Sequence, residues 1–214
     1  MMFSVLGLLA VGSHTCRAES LSFDQVLQAV DRYYERLSSL KASFSQVVEV
    51  PALERQEKFH GVLYFMQPVY LRLEYIEPQG QLLVADGTWY WFYMPQPDLP
   101  QAMRAPMRQG EGAPRYVLGG NLKQRFSGQL LGREQRGGRT SYVLKLNPRK
   151  DNPYYKTLHA WVDAGTFATR AVRYVDQGGT FNTFDFFDLE PNTKFSPEIF
   201  TFTPPDGAQI LDAE

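Results

Sequence analysis

Apolar residues alternate most densely between Phe59 and Pro95. Strand side chains point to opposite faces with period two, so Phe59, Gly61, Leu63 and Phe65 share one side of a first strand, and Val69, Leu71, Leu73 and Tyr75 one side of a second. Pro68 separates these two strands, and Pro78-Gln79-Gly80 separates the second from a third, Leu82 to Ala85. Asp86-Gly87 supplies the positive-φ residues of a tight hairpin, and Thr88 to Tyr93 returns as the fourth strand. The pattern predicts a four-stranded antiparallel meander. Its opposite faces carry Tyr64, Met66, Tyr70, Ile76, Tyr90 and Phe92, so such a sheet needs both faces covered, or one face curved around something apolar.

Before the meander, Ser22 and Gln25 have capping-box spacing, and Phe23, Val26, Leu27, Val30, Tyr34 and Leu37 recur at helical intervals, predicting an amphipathic helix over 22–39. Its apolar stripe serves equally as core or as the lining of a ligand cavity. A strand from Ala42 to Val50 and a polar link from Pro51 to Glu57 follow. After the meander, Pro95, Pro97, Pro100 and Pro106 argue against helix or central strand, which predicts a long loop over roughly 95–112. Ala113 to Leu118 reads as a short helix with Pro114 at its start, and Leu122 to Phe126 as a further turn. Strands resume over 129–136, 140–146, 157–163, 167–176 and 180–189, and Phe200 to Thr203 reads as the last. Ten or eleven antiparallel strands with few helices favour one curled sheet or a partly closed barrel over a βαβ fold.

Residues 1–18 stand apart from this pattern. Phe3 to Val11 is a short apolar segment ending near Cys16-Arg17-Ala18, which reads as an export signal cleaved after Ala18, although no Lys or Arg precedes it. A lipid-anchored Cys16 is the rival reading. The remaining domain, 19–214, then holds no cysteine, because Cys16 is the only one. That excludes disulfides, thiol catalysis and cysteine-based metal sites from the mature chain.

Charge is uneven. Residues 101–150 carry eleven Lys or Arg against Glu111 and Glu134, net +9, whereas 19–100 and 151–214 are net −5 and −6. Either basic strands neighbour acidic ones within one sheet, or a basic patch meets an anionic partner or membrane surface. Enzyme signatures are lacking: there is no Gly-x-Ser-x-Gly elbow, His-Glu-x-x-His, phosphate-binding loop or Gly-x-Gly-x-x-Gly. His60 and His159 fall on separate strands, and Asp185 with Asp188 reads as solvated strand surface. The basic segment has few aromatic residues, which argues against a groove for single-stranded nucleic acid. An excess of apolar surface, an amphipathic helix and a loop ahead of a short apolar helix suit an apolar cavity with a lid.

Several stretches, in order from about Leu21 to Asp212, resemble the periplasmic outer-membrane lipoprotein carriers of the LolA family. Arg36-Leu37 followed by Ala42-Ser43-Phe44 and Gln46 is similar to that family's first helix-to-strand passage. Gly61-x-Leu63, Pro68 and Leu71 resemble its next two strands. Leu83-Val84-x-Asp86-Gly87 with Trp91-Phe92-Tyr93-x-Pro95 resembles its central hairpin. Pro114 to Asn121 sits at its lid helix, and Phe200-Thr201-Phe202-Thr203-Pro204-Pro205-x-Gly207 matches its C-terminal signature.

The resemblance implies an unclosed antiparallel half-barrel of about eleven strands with a helical lid, no enzymatic activity and no cofactor. It also implies a periplasmic monomer that ferries lipoprotein acyl chains from an inner-membrane LolCDE-type transporter to an outer-membrane LolB-type receptor or to the membrane itself. Carried over by position, Leu63, Phe65, Leu71, Leu73, Tyr75 and Trp91 face the cavity, with Leu27, Val30 and Tyr34 on the helix and Tyr116, Val117 and Leu118 in the lid. Well-studied carriers have Arg before the proline that is Pro68 here, an Arg thought to hold lid carbonyls; this chain has Gln67. Two other readings are a LolA-like sensor or transporter of another lipid, and an envelope hydrolase or lipid-modifying enzyme with a polar cluster inside the cavity.

Overall fold

Ser22 starts the longest helix among the described residues. In the computed structural model, which describes residues 21–107, 121–152 and 155–213, the Gln25 N–H donates to the Ser22 hydroxyl at 3.3 Å and the Ser22 N–H to the Gln25 amide oxygen at 2.7 Å. This reciprocal cap satisfies N–H groups that a helix start leaves unpaired. Helix α1 (Phe23–Glu35) is shorter than expected because Ser39 already pairs with Met66 as the first residue of β1 (Ser39–Val50). Leu37 is still buried, in the turn between them.

A single 3₁₀ turn, Pro51–Leu53, joins β1 to β2 (Arg55–Met66), so the link expected to reach Glu57 is only four residues long. The meander continues through β3 (Tyr70–Glu77), β4 (Leu82–Ala85) and β5 (Trp89–Met94). In the β4–β5 turn only Gly87 has positive φ, at 97°. Asp86 contributes its carboxylate instead, accepting from the N–H groups of Thr88 and Trp89 at 2.8 and 2.7 Å.

The prolines after the meander flank a strand rather than exclude one. β6 (Gln101–Pro106) follows Pro100 and ends on Pro106, and it lies inside the sheet between β5 and β12 (Gln209–Asp212). Prolines at strand ends sacrifice few ladder bonds, which is why the composition misled. The short helix α2 (Leu122–Arg125) leads into β7 (Phe126–Arg136), β8 (Arg139–Pro148), β9 (Leu158–Asp163), β10 (Thr169–Val175) and β11 (Phe181–Pro191). The expected strand at 200–203 is absent: Phe200 closes a 3₁₀ turn begun at Pro197, and the last strand is β12.

The twelve strands of the described residues form one sheet, ordered β12-β6-β5-β4-β3-β2-β1-β11-β10-β9-β8-β7. Sequence neighbours pair along it except where β1 meets β11 and where β12 runs parallel to β6. The end strands β7 and β12 do not pair with each other, so the sheet is an unclosed half-barrel.

Both faces of the meander are covered, as its composition demands. On the inner face, α1 lies against alternate residues of β1–β3 and β8–β11 in one apolar cluster. On the outer face, the chain between β11 and β12 returns across the sheet. Phe195 meets Tyr64 at 5.9 Å and Phe200 meets Tyr70 at 5.5 Å between ring centres, while Arg72 donates to the Ile199 carbonyl at 3.0 Å.

Candidate functional site

The inner face collects most of the residues that sequence pattern had grouped. Leu63 pairs with Leu73, and Phe65 with Leu71. With Tyr75, these five are buried in the cluster that contains Leu27, Val30 and Tyr34 of α1. The Tyr34 hydroxyl accepts from the Thr169 N–H at 3.3 Å, tying α1 to the start of β10. Burial raises the Tyr34 phenol well above its ordinary range, so it stays neutral.

Trp91 does not join them. Register settles this: Leu73 lies opposite Leu83 and Leu71 opposite Ala85, and these pair with Phe92 and Tyr90 of β5. The even-numbered residues of β5 therefore share the face of Leu71 and Leu73. Trp91, opposite Val84, points outward, where its indole N–H donates to Asp86 at 3.0 Å and its ring meets Phe202 at 5.6 Å. Trp91→Phe, which loses that hydrogen bond and some packing, is expected to cost about 1–2 kcal/mol in chemical denaturation and to leave the affinity for an acyl-chain probe unchanged. Loss of probe binding in the folded variant would return Trp91 to the inner face.

Sequence reading missed a polar chain on the inner face. Tyr75 donates its hydroxyl to the Gln46 amide oxygen at 2.9 Å, and the Gln46 amide N–H donates to Asn182 at 3.2 Å. The rings of Phe44 and Phe59 stand edge-on to Tyr75 at 5.2 and 6.0 Å. The signal lay in the alternation, because Gln46 follows Ala42 and Phe44 on one face, and Asn182 precedes Phe184 and Phe186. A buried amide is stable there only when partnered.

Helix α1 is clipped at two places. The Gln67 side-chain N–H donates to the Tyr34 carbonyl, in the last turn, at 2.8 Å. Farther back, Asp31 accepts from the Leu122 N–H at 2.8 Å, and Asp24 in the first turn pairs with Lys123 at 3.1 Å, so α2 is held against α1. Burial raises the pKa of Asp31, outweighing the backbone hydrogen bonds of Leu122 and Lys123 that lower it. The expected lid residues Tyr116, Val117 and Leu118, like residues 1–18, lie outside the described residues.

Part of the basic segment is answered by the two acidic ones. Arg104 pairs with Asp212 at 2.6 Å and Arg136 with Asp185 at 2.6 Å, and Arg139 approaches Asp163 at 3.5 Å. Asp185, read from sequence as solvated surface, thus has a fixed guanidinium partner.

The model of the family described as outer membrane lipoprotein carrier protein LolA matches residues 35–203, most of the half-barrel. The chain belongs to the LolA family. Among curated LolA-type relatives, the outer-membrane lipoprotein carrier protein of Methylibium petroleiphilum is 27% identical over 198 residues, covering 92% of this chain and 94% of the relative. That of Neisseria meningitidis serogroup B is 27% identical over 203 residues, covering 95% and 94%. Among solved structures, an uncharacterized conserved protein from Thermus thermophilus superposes with a TM-score of 0.57 at 12% identity, covering 89% of this chain and 98% of that one. MucB does so with a TM-score of 0.50 at 15% identity, covering 88% and 64%. These two likenesses show the fold. The LolA family is one of binding and transport proteins.

Proposed function

We propose that this chain is a periplasmic carrier that holds the acyl chains of lipoproteins against the inner face of the half-barrel, in the space that α1 covers. It takes cargo from an inner-membrane LolCDE-type transporter and passes it to an outer-membrane LolB-type receptor or to the membrane, and residues 1–18 act as a cleaved export signal. The observation that carries this reading is how the inner face is closed: one amphipathic helix fills it. Leu27, Val30 and Tyr34 have no exposed surface, nor does Val26. At roughly 1.5–3 kcal/mol per buried side chain, these four contribute about 6–12 kcal/mol. An acyl chain of about sixteen carbons, at ~0.8 kcal/mol per CH₂, offers about 12 kcal/mol in their place. The exchange is close to balanced, which suits a carrier that must bind and release.

Gln67 enters this balance because it is the side chain that holds the last turn of α1. An Arg at this position brings charge-assisted bonds, worth roughly 1.5–3 kcal/mol against about 1 for a neutral one, and adds a cation at the negative end of the helix dipole. Gln67→Arg is expected to weaken binding of an acyl-chain probe by roughly tenfold, and Gln67→Ala to strengthen it several-fold. Equal affinities in all three proteins would mean that seating of α1 does not oppose ligand.

The reading itself is tested by intact mass spectrometry of the protein isolated from its own periplasm. Mature protein beginning near Glu19, with co-purifying lipoprotein or acylated peptide, is expected. A retained N-terminus or a diacylglycerol adduct on Cys16 would sink the export proposal, and absence of any acylated cargo would sink the carrier proposal.

A further inference from the structure

At the end of the sheet where the β7–β8 hairpin meets the last residues of β11 lies a pocket of about 420 Å³, into which Arg136, Arg139 and Arg170 converge. The three guanidiniums are not equally satisfied. Arg136 is spent on Asp185, with two bonds at 2.6 and 2.9 Å. Arg139 and Arg170 share a single oxygen, Asp163 Oδ2, at 3.5 and 3.4 Å. Both distances exceed the roughly 2.7–2.9 Å of a strong charge-assisted bond. The other oxygen of Asp163 already accepts from the N–H groups of Gly165 and Thr166 at 3.0 and 2.9 Å. The buried Nε of Arg170 has no hydrogen-bond partner. One carboxylate thus faces two guanidiniums, each with five donors, so unmet donors remain between Arg139 and Arg170, although Asp163, Asp185 and Asp188 together balance the formal charge of the three arginines.

Besides Asp185 and Asp188, the rest of the pocket wall is Gly137, Phe186, Phe187 and Leu189, and its apolar part reaches the interior. Phe186 belongs to the inner-face cluster and Leu189 packs against it, while Phe187 beside them is 44% exposed. Guanidiniums with spare donors beside Phe186 and Leu189, which join the α1-covered core, are complementary to an amphiphile, not to a bare ion.

We infer that this pocket is a headgroup site for an anionic amphiphile: a phosphate or carboxylate held between Arg139 and Arg170, its chain entering the half-barrel past Phe186 and Leu189. The inference rests on the acyl-binding reading for the chain and extends it from lipoproteins, whose lipid is uncharged, to amphiphiles with an anionic head. Asp188, an exposed residue lining the pocket, opposes it.

The test uses the mature full-length protein at low salt and about pH 8, with three fluorescent probes of identical long alkyl chain ending in a carboxylate, a phosphate monoester or an alcohol. Wild type is expected to bind the two anionic probes roughly tenfold more tightly than the alcohol, the gain from one charge-assisted interaction. Arg139→Gln, a change at a half-exposed side chain, should abolish the preference and leave alcohol binding unchanged. Asp188→Asn should strengthen only the anionic probes, a few-fold, and its left-handed backbone, with φ at 50°, tolerates Asn. Binding of the alcohol probe alone reports the acyl reading, so its loss in wild type would sink that reading and this one together. Equal affinity of wild type for the three heads overturns the headgroup site alone, as does a preference that neither variant alters. Inorganic phosphate that displaces the anionic probes at the probes' own concentration would show a site for free anions and overturn the amphiphile.

Discussion

Leu73→Glu is expected to abolish acyl-probe binding at neutral pH and to lose several kcal/mol of stability, with the stability partly recovered as the pH falls. Leu73 has no exposed surface and lies between Leu63 and Leu83 in the sheet. Its cross-strand neighbours on both sides are leucines. A carboxylate there is desolvated without a partner, which raises its pKa by roughly 3–5 units above the ordinary value of about 4.3. Each unit is about 1.4 kcal/mol, so the folded state loses about 4–7 kcal/mol once the group would ionise in the unfolded chain. The sign follows from the raised folded pKa. Below about pH 4.3 the group is neutral in both states and the electrostatic penalty vanishes; it grows as the pH rises and is complete above the folded pKa. Urea denaturation from pH 4 to 8, with Leu73→Gln as the uncharged control, checks this. A stability difference between the two variants that does not change with pH would place Leu73 in contact with solvent or with a cation, and unchanged probe affinity would remove it from the ligand side.

Gly61→Ala should lower the melting temperature by about 6–12 °C. A Cβ on Gly61 would stand 2.0 Å from the Glu74 carbonyl oxygen and 2.9 Å from a ring carbon of Phe44. The first neighbour is backbone of β3, paired to β2 at the register shift between His60 and Gly61, and it cannot rotate away as a side-chain tip does. Relief requires β2 and β3 to separate or the Phe44–Tyr75 contact to open. Overpacking costs about 1–3 kcal/mol in tolerant sites, and this site belongs at the upper end. About 3 kcal/mol corresponds to that temperature shift in a chain of this size. A melting temperature within about 2 °C of wild type would mean that the strands move apart freely here.

Local pattern determined much of this protein. The capping box at Ser22, the helical stripe through Val26, Leu27, Val30 and Tyr34, and the alternation in β2 and β3 each express a periodicity that backbone geometry alone enforces. They were therefore legible without a structure, as was the unclosed half-barrel through resemblance. Resemblance alone puts Trp91 at the cavity, and periodicity cannot correct it, because every residue from Trp89 to Tyr93 is aromatic and the strand offers two apolar faces of similar character. Only pairing with Val84 and the arrival of Phe202 from a distant part of the chain decide which one turns inward. β6 was hidden by its prolines, whose cost depends on whether a neighbour needs the missing N–H, and β12 has no meaning before β6 exists to pair with it.

The same division runs through the site. Sequence spacing put Leu63, Phe65, Leu71 and Leu73 on common faces, because i and i+2 are neighbours in any strand. The bond from Gln67 to the Tyr34 carbonyl, the chain from Tyr75 through Gln46 to Asn182, and the meeting of Arg139 and Arg170 at Asp163 join residues up to 136 positions apart. A polar side chain carries its donors and acceptors in the sequence, but which partner it meets is set by how the sheet curls and where β1 joins β11, and that is a property of the folded chain as a whole.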